Sequence, residues 1–513
     1  MKLAKPCISI FLTVLLIFSS ASCTEPSSEL SVSSSETTAP SEVPLGTETF
    51  SPDPALSPIE DNLAGKVLNE FNLEVTLDAD QHQLAVIQSL AYHNNAGTAL
   101  SEIYFNLIPN AFMSQGGGID MNSVIASNTA TTLQQVKETV YKIDLPTPLQ
   151  VNETLDIQME YTVHIPNIQN RFGYQDNVYN VGNFIVTPAV YGANGWAVLP
   201  YVHIGDAFHT DIANYTVTID MPEGYTVAAT GTQTTSGHFH AEKVRDFAFC
   251  ANNEFEILSQ KVDNTIIHVY FSDDMSKTAN RVMKTSERAL SLFNELLGEY
   301  PYETLSVVLS GMTNGVSGME YPTLVMIGPD ITLEKFEEEQ LGGETDKNGY
   351  LVIIDRVVIH EIAHQWFYGI VGNDQVSHPW LDEGFCRFSE YLYEETYPLE
   401  QPQPDFIYSL ATFFSAEYEY IVSSEDGMDF VDLNLSLYDW LKGPEAYGMI
   451  YYKSASMLYH MEQEMGDVEF KKALREYVDT FAYDFVTPES FKQFWNERED
   501  FSELFSLYSL TSQ

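Results

Sequence analysis

The sequence predicts an α+β multidomain protein: an N-terminal all-β domain of sandwich or saddle form, followed by a mainly helical domain. Periodicity is the first observation behind this. From about Gly65 to about Ser259, apolar residues alternate with period two in short runs separated by Asn, Gly, Pro and Asp. After about Lys261 the apolar residues recur at i, i+3, i+4, the period of helices. Length is the second, because 513 residues exceed what one hydrophobic core usually organises. Composition is the third: 44% hydrophobic and 13% aromatic residues are far too much apolar material for a disordered chain.

Residues 1–23 have the pattern of a signal peptide. Lys2 and Lys5 precede an apolar stretch from Ile8 to Phe18 and the small residues Ser19 to Ser22. That stretch is too short to span a bilayer as a mature helix. The string SSASC, ending at Cys23, resembles the processing site of bacterial lipoproteins, whose cysteine is lipidated, although Ser20 stands where Leu or Val is usual. The expectation is an extracytoplasmic protein, lipid-anchored to the cell membrane of a bacterium and touching it only through that anchor. Plain secretion is the second choice. Residues 24–60 are mostly Ser, Thr, Pro and Glu and are expected to form a disordered tether.

The β-rich domain is expected over residues 61–260, in strands such as FNLEVTLDAD, ALSEIYFNLIPN, ETLDIQMEYTVHIP, NYTVTIDMPEGYTVAATG and VRDFAFCANNEFEI. His238 and His240 could bind a metal from one strand face, but no third ligand is near, and they are taken as a hairpin tip. The second domain, residues 261–513, opens with the amphipathic helix SKTANRVMKTSERALSLFNELLG, ending at Gly298, and the strand ETLSVVLSG. Helices follow over Leu351–Tyr368, Pro379–Glu395, Pro404–Val422, Tyr447–Met465 and Val468–Phe481.

Charge excludes one class of partner. Asp and Glu number 73 against 24 Lys and Arg, a formal net charge of -49, which repels nucleic acid. It suits a solvated surface and mildly favours cationic substrates, free peptide N-termini among them. With Cys7 in the signal and Cys23 in the lipid site, only Cys250 and Cys386 remain, too few for a disulfide framework.

Chemistry concentrates in His360-Glu361-Ile362-Ala363-His364. On a helix, residues four apart share a face, so the two imidazoles converge on one Zn2+ per chain, with Glu361 beside the open coordination position. A catalytic zinc site takes a third protein ligand. Glu383 in WLDEGF, 19 residues beyond His364, is placed to supply it after the reversal GIVGNDQVSHP. Asp382 is either an outer partner of a ligand or a solvated helix-start carboxylate. His378 is taken as structural, since another protein ligand would close the catalytic position.

HEIAHQWFYG followed by WLDEGF resembles the aminopeptidase N and leukotriene hydrolase family of gluzincin zinc metallopeptidases, in a short bacterial form. The similarity extends through YTVTIDMPEGYTVAATG and VRDFAF to most of the chain. It implies a β-rich N-terminal domain ahead of a thermolysin-like catalytic domain. Ser317-Gly318-Met319-Glu320-Tyr321 is similar to the family's Gly-Ala-Met-Glu-Asn strand. The likeness implies that Gly318 and Met319 line the substrate cleft and that Glu320 binds the substrate's free α-ammonium group. Tyr451 in IYYKSASML is similar to the family's oxyanion-binding tyrosine, and a neutral phenol suits that task. Tyr447 and Tyr452 are its neighbours. Tyr321, Ser317, Asp382 and Ser454 depart from the usual Asn, Gly, Asn and Gly. The chain ends at SELFSLYSLTSQ, so the large C-terminal helical domain of longer relatives is expected to be missing and the cleft more open.

The expected activity is therefore hydrolysis of the N-terminal peptide bond of peptides with a free N-terminus, Glu361 assisting attack by zinc-bound water. Two alternatives stand beside it. One is a gluzincin endopeptidase that tolerates blocked N-termini; the other is a peptide-binding surface lipoprotein with a vestigial zinc site.

Overall fold

The computed structural model describes residues 56–510 apart from 61, 64, 313–316, 329–331, 400–402, 405–407, 424–431 and 445–446. The signal peptide and Cys23 lie outside the described residues, as does all but the last part of the tether expected over residues 24–60. Asn69–Asp78 shows why the first half is β: Phe71, Leu73, Val75 and Leu77 are buried while the residues between them are exposed. Such alternation covers a core with one face of an antiparallel sheet and wets the other.

That strand lies inside an eight-stranded sheet. It pairs antiparallel with Gln83–His93 and parallel with Ala213–Asp220. Two four-stranded sheets, which include Phe172–Gln175 with Val178–Val181 and Leu100–Asn106 with Val140–Leu149, pack with it. All three sheets contribute to one core containing Phe71, Phe105, Ile143, Tyr161, Val181 and Phe249.

A five-stranded sheet opens the second half, in the order Phe255–Val262, Thr265–Ser272, Thr304–Leu309, Leu324–Ile327, Gly318–Met319. The hairpin Phe255–Ser272 therefore pairs with the helical half, and the passage between halves falls near Asn253, a few residues before the boundary drawn from periodicity at 260/261. Alternation looks the same on either side of such a passage. Helix Ser276–Leu297 makes the crossover between parallel neighbours Thr265–Ser272 and Thr304–Leu309 and ends at Gly298, whose φ of 105° a glycine adopts without strain.

The helix carrying the HEIAH motif runs from Glu344 to Ala363, starting before and ending sooner than Leu351–Tyr368. Its end is set by a turn in which Gly369 N–H donates to the His364 carbonyl and Tyr368 takes a φ of 108°. Helix Trp380–Thr396 returns antiparallel to it, with Arg356 Nε donating to Glu394 Oε1 at 2.9 Å. Helix Met449–Met465 runs parallel to Trp380–Thr396: Gly384 abuts Ser454 near their starts, and Tyr391 meets Glu462 near their ends. Helices Leu410–Ser423 and Asp467–Phe481 complete this half. Among the described residues, no helix is long and apolar enough to cross a membrane.

Candidate metal centre and substrate cleft

His360 lies in the last turn of the HEIAH helix and His364 closes it, so the two side chains leave one face a turn apart. The antiparallel return then brings Glu383 to them. Glu383 Oε2 is 3.0 Å from His360 Nε2 and 3.4 Å from His364 Nε2, and the two Nε2 atoms are 3.2 Å apart. Each imidazole is held from behind. His360 Nδ1 faces Glu390 Oε1 at 3.0 Å, and His364 Nδ1 faces the Phe367 carbonyl at 3.0 Å. Arg387 pairs with Glu390 in turn.

With both Nδ1 atoms donating outward, two nitrogen lone pairs and a carboxylate oxygen converge, an arrangement that only a cation satisfies. Burial opposes charge on His360, yet Glu383 and Glu390 outweigh it and lift its pKa to about 9. Burial likewise opposes ionisation of Glu383, but His360 and His364 hold it down to about 2. Two imidazoles and one carboxylate with carboxylate and carbonyl partners behind them fit zinc. Glu320, His364 and Asp382 also lie close enough to share an ion. His364 belongs to both groups and has one nitrogen to offer, so the groups are not two independent centres.

Glu361 is buried beside this centre. A Cβ placed on Gly318 would lie 1.9 Å from Glu361 Oε1, so the glycine is what admits the carboxylate. Its Oε2 has no hydrogen-bond partner, and burial lifts its pKa to about 7. Glu320 is buried as well, and burial raises it well above the usual carboxylate range. Gln375 Nε2 donates to Glu320 Oε1 at 3.1 Å and to Asp382 Oδ2 at 2.7 Å. Asn373 Nδ2 donates to Asp382 Oδ1 at 2.9 Å, so Asp382 faces inward rather than solvent.

Tyr451, in the first turn of Met449–Met465, has its ring 5.8 Å from that of His360, and burial keeps its phenol neutral at ordinary pH. Met319 is buried against Phe208 and Tyr321, so its side chain packs into the wall behind the cleft. Tyr321 is anchored in the β-rich half: its hydroxyl donates to Asn183 Oδ1 at 2.6 Å, and Asn183 Nδ2 donates to Asp246. Tyr452 takes a hydrogen bond from Arg387, away from Tyr451's position. Ser454 is accommodated because its neighbour across the helix pair is Gly384. His238 and His240 sit on the exposed face of their strand, His240 paired with Glu242, and belong to no metal-sized group among the described residues. His378 belongs to none either, and Cys250 and Cys386 are buried free thiols.

Three residues near the cleft escaped sequence reading. Arg171 and Asp206 form an ion pair contributed by the β-rich half. Asp206's loop packs on both cleft walls, Ala207 with Tyr447 and Tyr451, Phe208 with Met319. The charge of Asp206 also helps to raise Glu320 and Glu361. Gln375 sits in the loop that looked like a simple reversal.

Residues 281–509 match the Peptidase family M1 domain. Aminopeptidase M1-D of Oryza sativa subsp. japonica is 25% identical over 220 residues, 42% of this chain and 23% of its own length. Aminopeptidase M1-A of the same plant is 25% identical over 224 residues, 43% of this chain and 24% of its own. The match thus spans about a quarter of the length of these curated relatives. Among solved structures, the M1 zinc metallopeptidase of Deinococcus radiodurans superposes with a TM-score of 0.59 at 17% identity, over 90% of this chain and 96% of that one. A mutant of it bound to the substrate Tyr-Ser-Ala gives 0.56 at 18%, over 90% and 97%. These structural likenesses establish the fold, a β-rich half followed by a helical half. By sequence match over residues 281–509 this chain is similar to the Peptidase family M1 domain, and by fold it shares the architecture of the two-domain M1 zinc metallopeptidases.

Proposed function

We propose that this protein is a zinc-dependent aminopeptidase that removes the N-terminal residue of peptides. The observation that carries the reading is the convergence of His360, His364 and Glu383 beside a buried Glu361 with an unpartnered oxygen, and a second buried carboxylate, Glu320, across the same cleft. Zinc held by the first three, one ion per chain, would supply a Lewis acid and a water whose pKa falls to about 7.

The chain's own residues supply the rest. Glu361 takes a proton from the attacking water and returns it to the departing amine. Tyr451 donates a hydrogen bond to the oxyanion of the substrate. Glu320, oriented by Gln375, holds the α-ammonium so that the first peptide bond falls between Glu361 and Tyr451. Peptide as substrate class is supported by the Deinococcus neighbour solved with Tyr-Ser-Ala, and by two-domain M1 mutants solved with L-arginine and L-tryptophan.

Hydrolysis of an aminoacyl anilide, set beside its N-acetyl form, tests this. A strong preference for the free amine is expected; equal rates exclude an aminopeptidase. Equal rates are what a gluzincin endopeptidase would give, and Tyr321 favours that second reading, because its hydroxyl is engaged by Asn183 rather than offered to substrate. Metal analysis settles the remaining alternative: a zinc-free, chelator-insensitive protein would be a binding protein. For location, the motif ending at Cys23 supports lipid anchoring outside the cytoplasm, and radiolabelled palmitate that fails to enter wild type would remove that part.

A further inference from the structure

A second cluster of ligating groups lies at the opposite end of the helix that supplies Glu383, about 18 Å along its axis at the rise of an α-helix. There the parallel helices Trp380–Thr396 and Met449–Met465 finish side by side and Asp467–Phe481 begins. One carboxylate oxygen from each of Glu395, Glu462 and Asp467 lies within 4.8 Å of the other two. Exposed acids are common in a chain of this charge. What separates this cluster from them is Glu462, which is only 2% exposed. Its Oε2 accepts from the Tyr391 hydroxyl at 3.0 Å, while its Oε1 is buried without any hydrogen-bond partner.

An unpartnered buried carboxylate oxygen is costly, and the neighbourhood adds to the cost. Lys471 pairs with Asp467 and lies 3.5 Å from Glu395. Three carboxylates against one ammonium leave two negative charges uncompensated, which one divalent ion would balance. Two helix C-termini point the negative ends of their dipoles at the same place, against the one positive end of Asp467–Phe481.

We propose that Glu395, Glu462 and Asp467 form a calcium site that pins the ends of these three helices. All three ligands are hard oxygens, with no histidine or cysteine to recruit zinc or copper. Glu395 and Asp467 are exposed, which leaves room for waters, and calcium tolerates the irregular geometry that magnesium does not. Burial, with Glu395 and Asp467 adding to it, lifts the Glu462 pKa to about 7, the response of a carboxylate short of positive charge. Lys471 is held above its ordinary value by Asp467 and Glu395 despite the cost of burial.

The zinc-loaded protein is titrated with calcium chloride, without chelator, and its Tm is followed by calorimetry against potassium chloride of matched ionic strength. At about 10 mM calcium a rise of about 2 °C is expected, with a smaller one in magnesium. Terbium emission excited through tyrosine, Tyr391 being adjacent, should appear and be displaced by calcium. Both effects should vanish in Glu462→Gln, where the amide still accepts from Tyr391. They should also weaken in Asp467→Asn, whose side chain is 58% exposed and whose replacement does not threaten folding. No calcium-specific rise in wild type, or an equal rise in both variants, overturns the site. Insensitivity to calcium with a Tm lowered by Lys471→Met would also overturn it, leaving the ammonium as the cluster's cation.

Discussion

Glu361 and Glu320 are two buried carboxylates with different surroundings, and those surroundings divide their work. Glu361 has one oxygen against Gly318 and the other unpartnered, free to accept a proton. Glu361→Gln keeps its shape and removes its basicity. We expect kcat to fall by 10^2 to 10^4, the usual worth of a positioned base, with zinc content by mass spectrometry unchanged. An unchanged kcat would remove the proposed role. Glu320 instead takes a hydrogen bond from Gln375, which is bonded in turn to Asp382 beside Glu383, the proposed third metal ligand. In Gln375→Leu, the KM for leucine anilide should rise about tenfold or more, the scale of a hydrogen bond to a charged group, with kcat less affected. N-acetylated substrates should show no such change; a rise common to both would mean a general disturbance of the cleft. That His360 and His364 share one face with Glu361 beside them was legible from sequence, because helical geometry makes a four-residue spacing into a shared face. Gln375, Arg171 and Asp206 were not, since they reach the cleft through tertiary folding and carry no periodic signal.

Elements were legible where periodicity was long. Helix Ser276–Leu297 and its stop at Gly298 follow from an apolar stripe and a terminal glycine, and Trp380–Thr396 and Asp467–Phe481 begin and end within a residue or so of expectation. The HEIAH helix did not end where its apolar content suggested, because the turn at Tyr368 and Gly369 is set by contacts with distant segments. Two-residue Gly318–Met319 is too short to show any period, and the likeness to a known strand was what located it. That edge strand makes a sharp prediction. A methyl at Gly318 would meet Glu361 Oε1 at 1.9 Å, so the carboxylate or the strand must move. Gly318→Ala should lower kcat/KM about 100-fold, the cost of roughly 1 Å of misplacement, while circular dichroism and zinc content remain native. Activity within twofold of wild type would show that the strand yields freely.

The two halves meet through groups that no stretch of sequence announces. Arg245, buried in the β-rich half, donates to the carbonyls of Tyr368, Ile370 and Asp484 in the helical half and stacks on Phe485. Arg245→Met would strand these carbonyls and should cost about 3 kcal/mol or more, read from denaturant unfolding; a loss under about 1 kcal/mol would make the junction dispensable. Periodicity separates the halves but cannot show how they lock. The same burial shapes the response of the whole molecule to pH. Asp246, beneath the Tyr321–Asn183 contact, and Glu462 are each lifted to about 7, chiefly by burial. In the unfolded chain both titrate near about 4. Their folded-state values are therefore raised, so their contribution is fully present below about pH 4 and is lost as pH rises through about 7. Between pH 6 and pH 8 each should remove about 1 kcal/mol of stability, in calcium-free buffer with zinc in excess. Self-repulsion of the -49 charge acts in the same direction but is screened by salt, whereas buried groups are screened far less. At high ionic strength Glu462→Gln should consequently lose about 1 kcal/mol less unfolding free energy than the wild type between pH 6 and pH 8. An identical pH dependence in wild type and Glu462→Gln at high salt would mean that this carboxyl is ionised in the folded protein at little cost, with a partner other than Tyr391.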